Sequence, residues 1–357
     1  MMQKLRIRAG SVNAWGGAGT LNGRTTALIR WIVRAPVGTL VGMTAPPAEG
    51  VRVAYDDLPD AVRGWVDEVL GESVVEAVTQ PGGFSPGAAA RVRTAGGRRA
   101  FVKAVSDELN PKTPDMHRME ARVTAALPAE APVPRLLSSY DDGTWVGLLM
   151  QDIDGRQPVL PWRDDELHRV MATLDELSAD LTPCPLPDAQ EVGHEWRPEF
   201  TNWRDTAAAG PPEGLDDWSV RHLEQLADLE SRWEDAARGD TLLHLDIRAD
   251  NLLLTDDRVW VVDWPWAARG SPVFDLVGFC PSVAMQGGPE PAQTVAMSRI
   301  GRAADPDALT VLVATVAGYF AVGALAPPPP GLPTVRAFQA AQGEVALRWL
   351  VERTGWR

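Results

Sequence analysis

Cysteine is nearly absent from this 357-residue sequence: Cys184 and Cys280 are its only two, far apart. That excludes a disulfide framework and a cysteine-rich metal site, and it points to a reducing compartment, so a cytoplasmic location is expected. Lysine is almost as scarce. Lys4, Lys103 and Lys112 stand against 31 arginines, the pattern of a GC-rich coding sequence. A position that keeps lysine therefore stands out, and Lys103 lies inside an apolar run, Phe101-Val102-Lys103-Ala104-Val105. Clustered basic charge is also missing over most of the chain. The net charge is −14, which argues against nucleic-acid binding, because phosphate contacts need grouped cations. Long uncharged runs are few. Residues 309–326 are free of charge, a length that fits a membrane span. They are rich in Ala, Gly and Thr, lack basic anchors and run into Pro327–Pro330, so a buried core helix is expected and no membrane association.

What is present is an ordinary globular composition, 45% apolar and 23% charged. Residues 1–42 differ from the rest: they are basic, Gly-rich and without sustained periodicity. They are expected to be a disordered extension, with Met43-Thr44-Ala45-Pro46 as a natural beginning. From Leu58 the chain reads as structured. Val62, Trp65, Val66, Val69 and Leu70 recur at helix spacing and Gly71 ends the run. Strand-like runs at 73–80, 88–94 and 99–105, separated by Pro81-Gly82-Gly83 and Gly96-Gly97, imply an antiparallel meander. Thr113-Pro114 marks an N-cap and first helical position for a helix to about Leu127. Two further strands, 135–140 and 144–151, flank the hairpin signal Asp141-Asp142-Gly143. After Gly155 the pattern is helical, clearest at 164–181 and 218–238, with a β-rich insert at 241–263. No internal repeat is visible.

The chemistry-bearing residues concentrate in His244-Leu245-Asp246-Ile247-Arg248-Ala249-Asp250-Asn251 and in Val259–Asp263. Asp246, Asn251 and Asp263 fall at the ends of short apolar strands, and their oxygens suit Mg²⁺, which prefers hard ligands and keeps phosphates and water in its shell. Upstream, Gly82, Gly83 and Ser85 belong to a Gly-rich turn whose backbone suits close approach to phosphates. Lys103 is placed to reach α/β-phosphates. A lysine in a buried strand needs a partner, since an unpaired buried charge is very costly, and Glu120 on the following helix is the candidate.

With these residues the sequence resembles the protein-kinase-like phosphotransferases, specifically the aminoglycoside phosphotransferase family, over about residues 73–350. The family's catalytic-loop pattern is matched by His244, Asp246 and Asn251, its metal-binding Asp by Asp263, and its strand-borne Lys and helix-borne Glu by Lys103 and Glu120. Gly270-Ser271-Pro272-Val273-Phe274-Asp275-Leu276 resembles a further family element. Leu245 stands where members often have Gly, Asp263 is followed by Trp264-Pro265 rather than Phe-Gly, and the Gly-rich turn lacks the G-x-G-x-x-G spacing.

The resemblance implies an α+β, bilobal, protein-kinase-like fold: an N-lobe at 43–152 with a five-stranded antiparallel sheet and one helix, and a mainly helical C-lobe at 153–357. It implies that backbone groups of Gln151 and Ile153 bind adenine, that Arg248 meets the γ-phosphate, and that Asp275 holds the catalytic loop through backbone hydrogen bonds. It implies transfer of the γ-phosphoryl of ATP (or GTP), with Mg²⁺, to a hydroxyl of a small molecule, an aminoglycoside or other antibiotic among them. The alternative is a pseudokinase that binds nucleotide without turnover. A protein kinase is disfavoured because no A-P-E-like element follows Asp263. Asp164, Asp165, Glu166, Asp216 and Asp217 are candidates to face ammonium groups of an acceptor, with solvated helix surface as the favoured reading. His117, His168, His194 and His222 read as ordinary polar residues, His244 as an orienting residue, and the tryptophans of 196–218 as core more than pocket. The oligomeric state is not legible.

Overall fold

Strand composition matches each strand's place in the sheet. The computed structural model describes residues 46, 51–80, 82–84, 86–329 and 332–357, all within one compact unit, Thr44–Arg357. The extension expected at 1–42 lies outside these residues. Strands β1 (Val74–Thr79), β2 (Ala88–Thr94), β3 (Arg99–Ser106), β4 (Leu136–Asp141) and β5 (Trp145–Met150) form one antiparallel sheet in the order β1-β2-β3-β5-β4. The meander is there, and the later hairpin joins it with β5 inside and β4 at the edge. β5 is continuously apolar and buried beyond Trp145, whereas β4 alternates; a strand covered on both faces needs the first pattern and an edge strand tolerates the second. At the hairpin, Asp142 Oδ1 accepts the N–H groups of Thr144 and Trp145 at 2.9 and 2.7 Å.

Helix α1 (Asp60–Leu70) buries Val62, Val66 and Leu70 against one sheet face, where Val102 and Ala104 also point. Lys103, one residue out of phase, faces the other side, because successive side chains alternate across a strand. There α2 (Thr113–Ala126) packs on β3, β4 and β5. Thr113 is itself the first helical residue and Lys112 precedes it, one position from the expected cap.

The remainder is mainly helical. Its principal helices are α3 (Asp164–Asp180), α4 (Asn202–Ala209), α5 (Leu223–Glu230), α6 (Pro272–Met285), α7 (Pro306–Gly323) and α8 (Val335–Thr354). Three-residue strands pair as β6 (Thr241–Leu243) with β9 (Ala268–Gly270), and β7 (Leu252–Leu254) with β8 (Val259–Val261). The core here includes Trp203, Trp233, Trp264, Trp349 and Phe279. Helix α7 is, among the described residues, the one helix long and apolar enough to cross a membrane. It is packed inside instead: Val311 to Ala317 are buried and the Trp203 indole donates to the Ala314 carbonyl at 2.8 Å.

The helix expected over 218–238 is broken into three pieces. Asp216 caps the Ser219 N–H and His222 Nδ1 contacts the Trp218 carbonyl, ending the first piece. Glu230 turns its carboxylate to the N–H groups of Trp203 and Arg204 at the start of α4, and Ser231 bonds back to the Asp228 carbonyl. Side-chain hydrogen bonds of this kind compete with a helix's own ladder.

Candidate active site

The loop between β6 and β7 is held from below by two side chains. Asp275, in the first turn of α6, accepts the N–H of His244 at 2.8 Å and of Leu245 at 2.7 Å. Burial pushes its carboxyl up to about 6, against the pull of those two donors. His244 accepts the Asp246 N–H on Nδ1 at 3.1 Å and meets the Val262 carbonyl with Nε2 at 2.9 Å. This network calls for the neutral ring with its proton on Nε2, and burial, which drives the ring down to about 4, favours the same form. The Trp264 ring packs edge-on at 4.6 Å. His244 thus orients the loop. Leu245 and Asp263 are the non-glycine residues with positive φ among those described, at +63° and +70°. A left-handed backbone explains why glycine is an easy residue beside His244 and why leucine there carries strain.

Asp246 sits above this support. Arg248 Nη1 donates to its Oδ1 at 2.5 Å, and Asn251 Nδ2 donates to its carbonyl at 2.8 Å and to Oδ2 at 3.2 Å. Burial pushes the Asp246 carboxyl up to about 7, with Arg248 opposing. Arg248 is also held by Asp250, Nε to Oδ1 at 3.0 Å and Nη2 to Oδ2 at 2.8 Å. Burial works against its charge, but Asp246 and Asp250 together hold the guanidinium above the ordinary arginine value.

Lys103 links sheet, helix and loop. Its Nζ lies 2.7 Å from both carboxylate oxygens of Glu120 and 2.5 Å from Oδ1 of Asp263. Burial opposes the ammonium, yet Asp263 and Glu120 outweigh it and keep Lys103 above the ordinary lysine value. Asp263, despite burial, is held down to about 2 by Lys103, while burial lifts Glu120 above its usual range. His117, three residues before Glu120 on α2, is buried here and is driven to about 3 by burial and the Lys103 charge. It is a neutral, buried part of this cluster, more than the ordinary polar residue that the sequence suggests.

Two side-chain oxygens of this cluster remain for a divalent cation. Asn251 spends its amide N–H groups on Asp246, which leaves Oδ1, and Asp263 engages Lys103 through Oδ1, which leaves Oδ2. Two hard oxygens are few, but Mg²⁺ takes few protein ligands and completes its shell with phosphate and water. Among the described residues no group of three or more His, Cys, Asp or Glu makes an all-protein cage. The residues fit Mg²⁺ of that kind.

At the Gly-rich turn, Arg52 donates to the carbonyls of Gly82 and Gly83, the latter at 3.2 Å. Gly83 has φ +91°, and at Gly87 (φ +112°) a Cβ would lie 2.5 Å from the Ala104 carbonyl. Ser85 lies outside the described residues. In the linker after β5, the Gln151 N–H bonds the Arg135 carbonyl at 2.8 Å and the Ile153 carbonyl accepts from Arg91 at 2.9 Å. Arg99 grips Asp152 at 2.8 Å through Nε. The Gln151 carbonyl and Ile153 N–H are among the linker's backbone groups outside those bonds.

The structure therefore brings Lys103, Glu120 and Asp263 together, and Asp246, Arg248 and Asn251 beside them. Sequence reasoning missed Arg52, Asp250, His117 and the Arg91–Arg99 grip on the linker. Only Asp250 left a signal, its i+2 spacing from Arg248. Of the acidic candidates for an acceptor, Glu166 is 2% exposed, bonded to Arg156 at 2.6 Å and to the Val159 N–H at 2.8 Å, and Asp216 is a helix cap. Glu166 is therefore neither solvated helix surface nor available to a ligand, while Asp164, Asp165 and Asp217 are exposed on helices.

In sequence, residues 81–310 match the pattern of the phosphotransferase enzyme family. Three solved structures share the fold. An aminoglycoside phosphotransferase from Alicyclobacillus acidocaldarius subsp. acidocaldarius DSM 446 has a TM-score of 0.54 at 14% identity, over 84% of this chain and 96% of that one. A choline kinase from Streptococcus pneumoniae has a TM-score of 0.55 at 12% identity, over 82% and 98%. A choline/ethanolamine kinase family protein from Mesorhizobium loti has a TM-score of 0.53 at 17% identity, over 78% and 88%. These likenesses show the expected α+β, kinase-like fold. No curated protein matches the sequence.

Proposed function

The chain belongs to the phosphotransferase enzyme family, and from that premise we propose that it is a small-molecule kinase that moves the γ-phosphoryl group of ATP or GTP to an acceptor hydroxyl. The observation that carries the reading is the meeting of Lys103 with Asp263 and Glu120 beside the Asp246 loop. Phosphoryl transfer needs positioning and charge stabilisation more than covalent chemistry from the protein, and these residues supply both.

In this reading the N-lobe ends near Asp152, and the Gln151 carbonyl and Ile153 N–H take the edge of the base. Lys103, held by Glu120, neutralises the α/β-phosphates, and the backbone of Gly82, Gly83 and Ser85 lies along them. Asn251 and Asp263 would hold Mg²⁺, which would offset phosphate charge. Asp246 accepts or orients the proton of the acceptor hydroxyl. Arg248, anchored on Asp246 and Asp250, stands by the transferred group. The complete set Lys103, Asp246, Asn251 and Asp263 favours turnover over the pseudokinase alternative.

The test is transfer from γ-labelled ATP or GTP with Mg²⁺ across aminoglycosides, macrolides and amino alcohols, with Asp246→Ala as control. A labelled product that vanishes in the variant supports the kinase and names its acceptor class. Mg·nucleotide binding with no labelled product from any acceptor would favour the binding module instead.

A further inference from the structure

Two phenylalanines to which no role has been assigned, one inside the Gly-rich turn and one beyond every motif, meet over the catalytic loop. Phe84 stands in the turn between β1 and β2. Phe338 stands in the first turn of α8, beyond the residues 81–310 that match the family pattern. Their rings meet edge to face with centroids 5.4 Å apart. The Arg248 guanidinium carbon lies over both, 5.1 Å from the Phe84 centroid and 5.6 Å from that of Phe338. Phe338 is 3% exposed and the Arg248 side chain 12%.

The guanidinium is thus constrained from two directions. Asp246 and Asp250 take three of its N–H groups, and the two rings cover it. A guanidinium is planar and weakly hydrated, so it stacks on aromatic rings where an ammonium would keep its water. Two carboxylates alone leave a long side chain free to choose other rotamers, and ordering such a chain has an entropic cost. The rings exclude those alternatives by volume.

We propose that Phe84 and Phe338 are positioning residues that act on Asp246 through Arg248. Arg248 touches both rings and the Asp246 carboxylate. Displacing either ring therefore lets the guanidinium move and takes with it one of the contacts that aim the carboxylate. Through this clasp the Gly-rich turn of the sheet and the C-terminal helix both set the orientation of one side chain. The inference rests on the role assigned above to Asp246.

Phe84→Ala, Phe338→Ala, the double variant and Phe338→Tyr test it in the full chain. In each alanine variant, hydrogen exchange at the amides of 245–251 should rise about tenfold, the scale of a lost cation–π contact, with β5 unchanged. The turnover number should fall about tenfold with the KM for nucleotide within about twofold. Because both rings act through one arginine, the double variant should be no worse than the worse single one, and Phe338→Tyr should restore the parent behaviour. Phe84 is only partly buried, so Phe84→Ala keeps the test open if Phe338→Ala does not fold. Unchanged exchange at 245–251, multiplying losses, or a loss that Phe338→Tyr does not rescue would each overturn the proposal. Exchange needs no turnover, so it decides the matter even if no acceptor is ever phosphorylated.

Discussion

Lys103 and Asp263 are 160 residues apart in sequence and 2.5 Å apart in space. The contact joins the third strand of the sheet to the loop that follows β8 in the helical part, and Glu120 completes it from α2. Lys103→Met would leave two carboxylates without their cation. Removing one partner of a buried ion pair costs about 3–5 kcal/mol, so the unfolding midpoint should drop by several degrees. The orphaned carboxylates would titrate at higher pH than in the parent, so part of the loss should return as the pH is lowered toward 5. Thermal melts of both proteins across that range check the prediction; a loss that does not depend on pH would argue against the paired-charge account.

Asp246 offers a contrast, because the role proposed for it is chemical. Its carboxyl is pushed up to about 7 by burial, with the Arg248 charge opposing. Asp246→Asn should lower transfer by roughly 10²–10⁴-fold, the usual worth of a positioned proton acceptor. The midpoint should stay within a few degrees, since Arg248 keeps Asp250. Steady-state rates beside melts separate the two; near-native turnover in the variant would remove Asp246 from the mechanism.

Leu245 pays for its place with a φ of +63°. A β-branched side chain is much less tolerant of that backbone than leucine, and glycine is indifferent to it. Leu245→Val should destabilise by about 1–2 kcal/mol and slow transfer, because Asp275 bonds the Leu245 N–H and the loop would shift. Leu245→Gly should keep transfer within a few-fold. Denaturant midpoints and rates for the pair decide it, and equal behaviour of the two variants would count against strain at this position.

Glu230 supplies a pH dependence away from the site. Burial raises its carboxyl from 4.5 to about 7, against the N–H groups of Arg204 and Trp203. Below about 4.5 the folded and unfolded chains both hold the proton. Between there and 7 the folded chain holds more, so stability declines as the pH rises through this window, and above it the loss is complete. Glu230→Gln should remove this slope. Unfolding free energies of parent and variant between pH 5 and 7.5 should converge or cross as the pH rises; parallel curves would show that Glu230 is not the source.

Much of the candidate site is legible in the sequence because its signals are local. The His244, Asp246, Asn251 and Asp263 spacing, the lone lysine in an apolar strand and the glutamate on the next helix needed no knowledge of what packs on what. His244 as an orienting residue and Asp275 as the loop's anchor also agree with the geometry. The continuous helix over 218–238 failed because His222 and Glu230 spend their side chains on backbone groups, a competition that periodicity does not register. Arg52 went unread because nothing near it in sequence says that it will reach the Gly82 and Gly83 carbonyls.

The sequence by itself determined the elements and the chemical inventory: which runs are strands or helices, where they turn, and which residues can carry charge and bind oxygen-seeking cations. Period, capping and turn chemistry act over a few residues, so they are written where they operate. The tertiary structure decided the pairing. It put β5 rather than β4 beside β3, closed Lys103 on Asp263, tied Arg248 to Asp250, and laid Phe84 and Phe338 over that arginine. Those contacts follow from which faces must be buried together, and burial is settled by the whole chain at once.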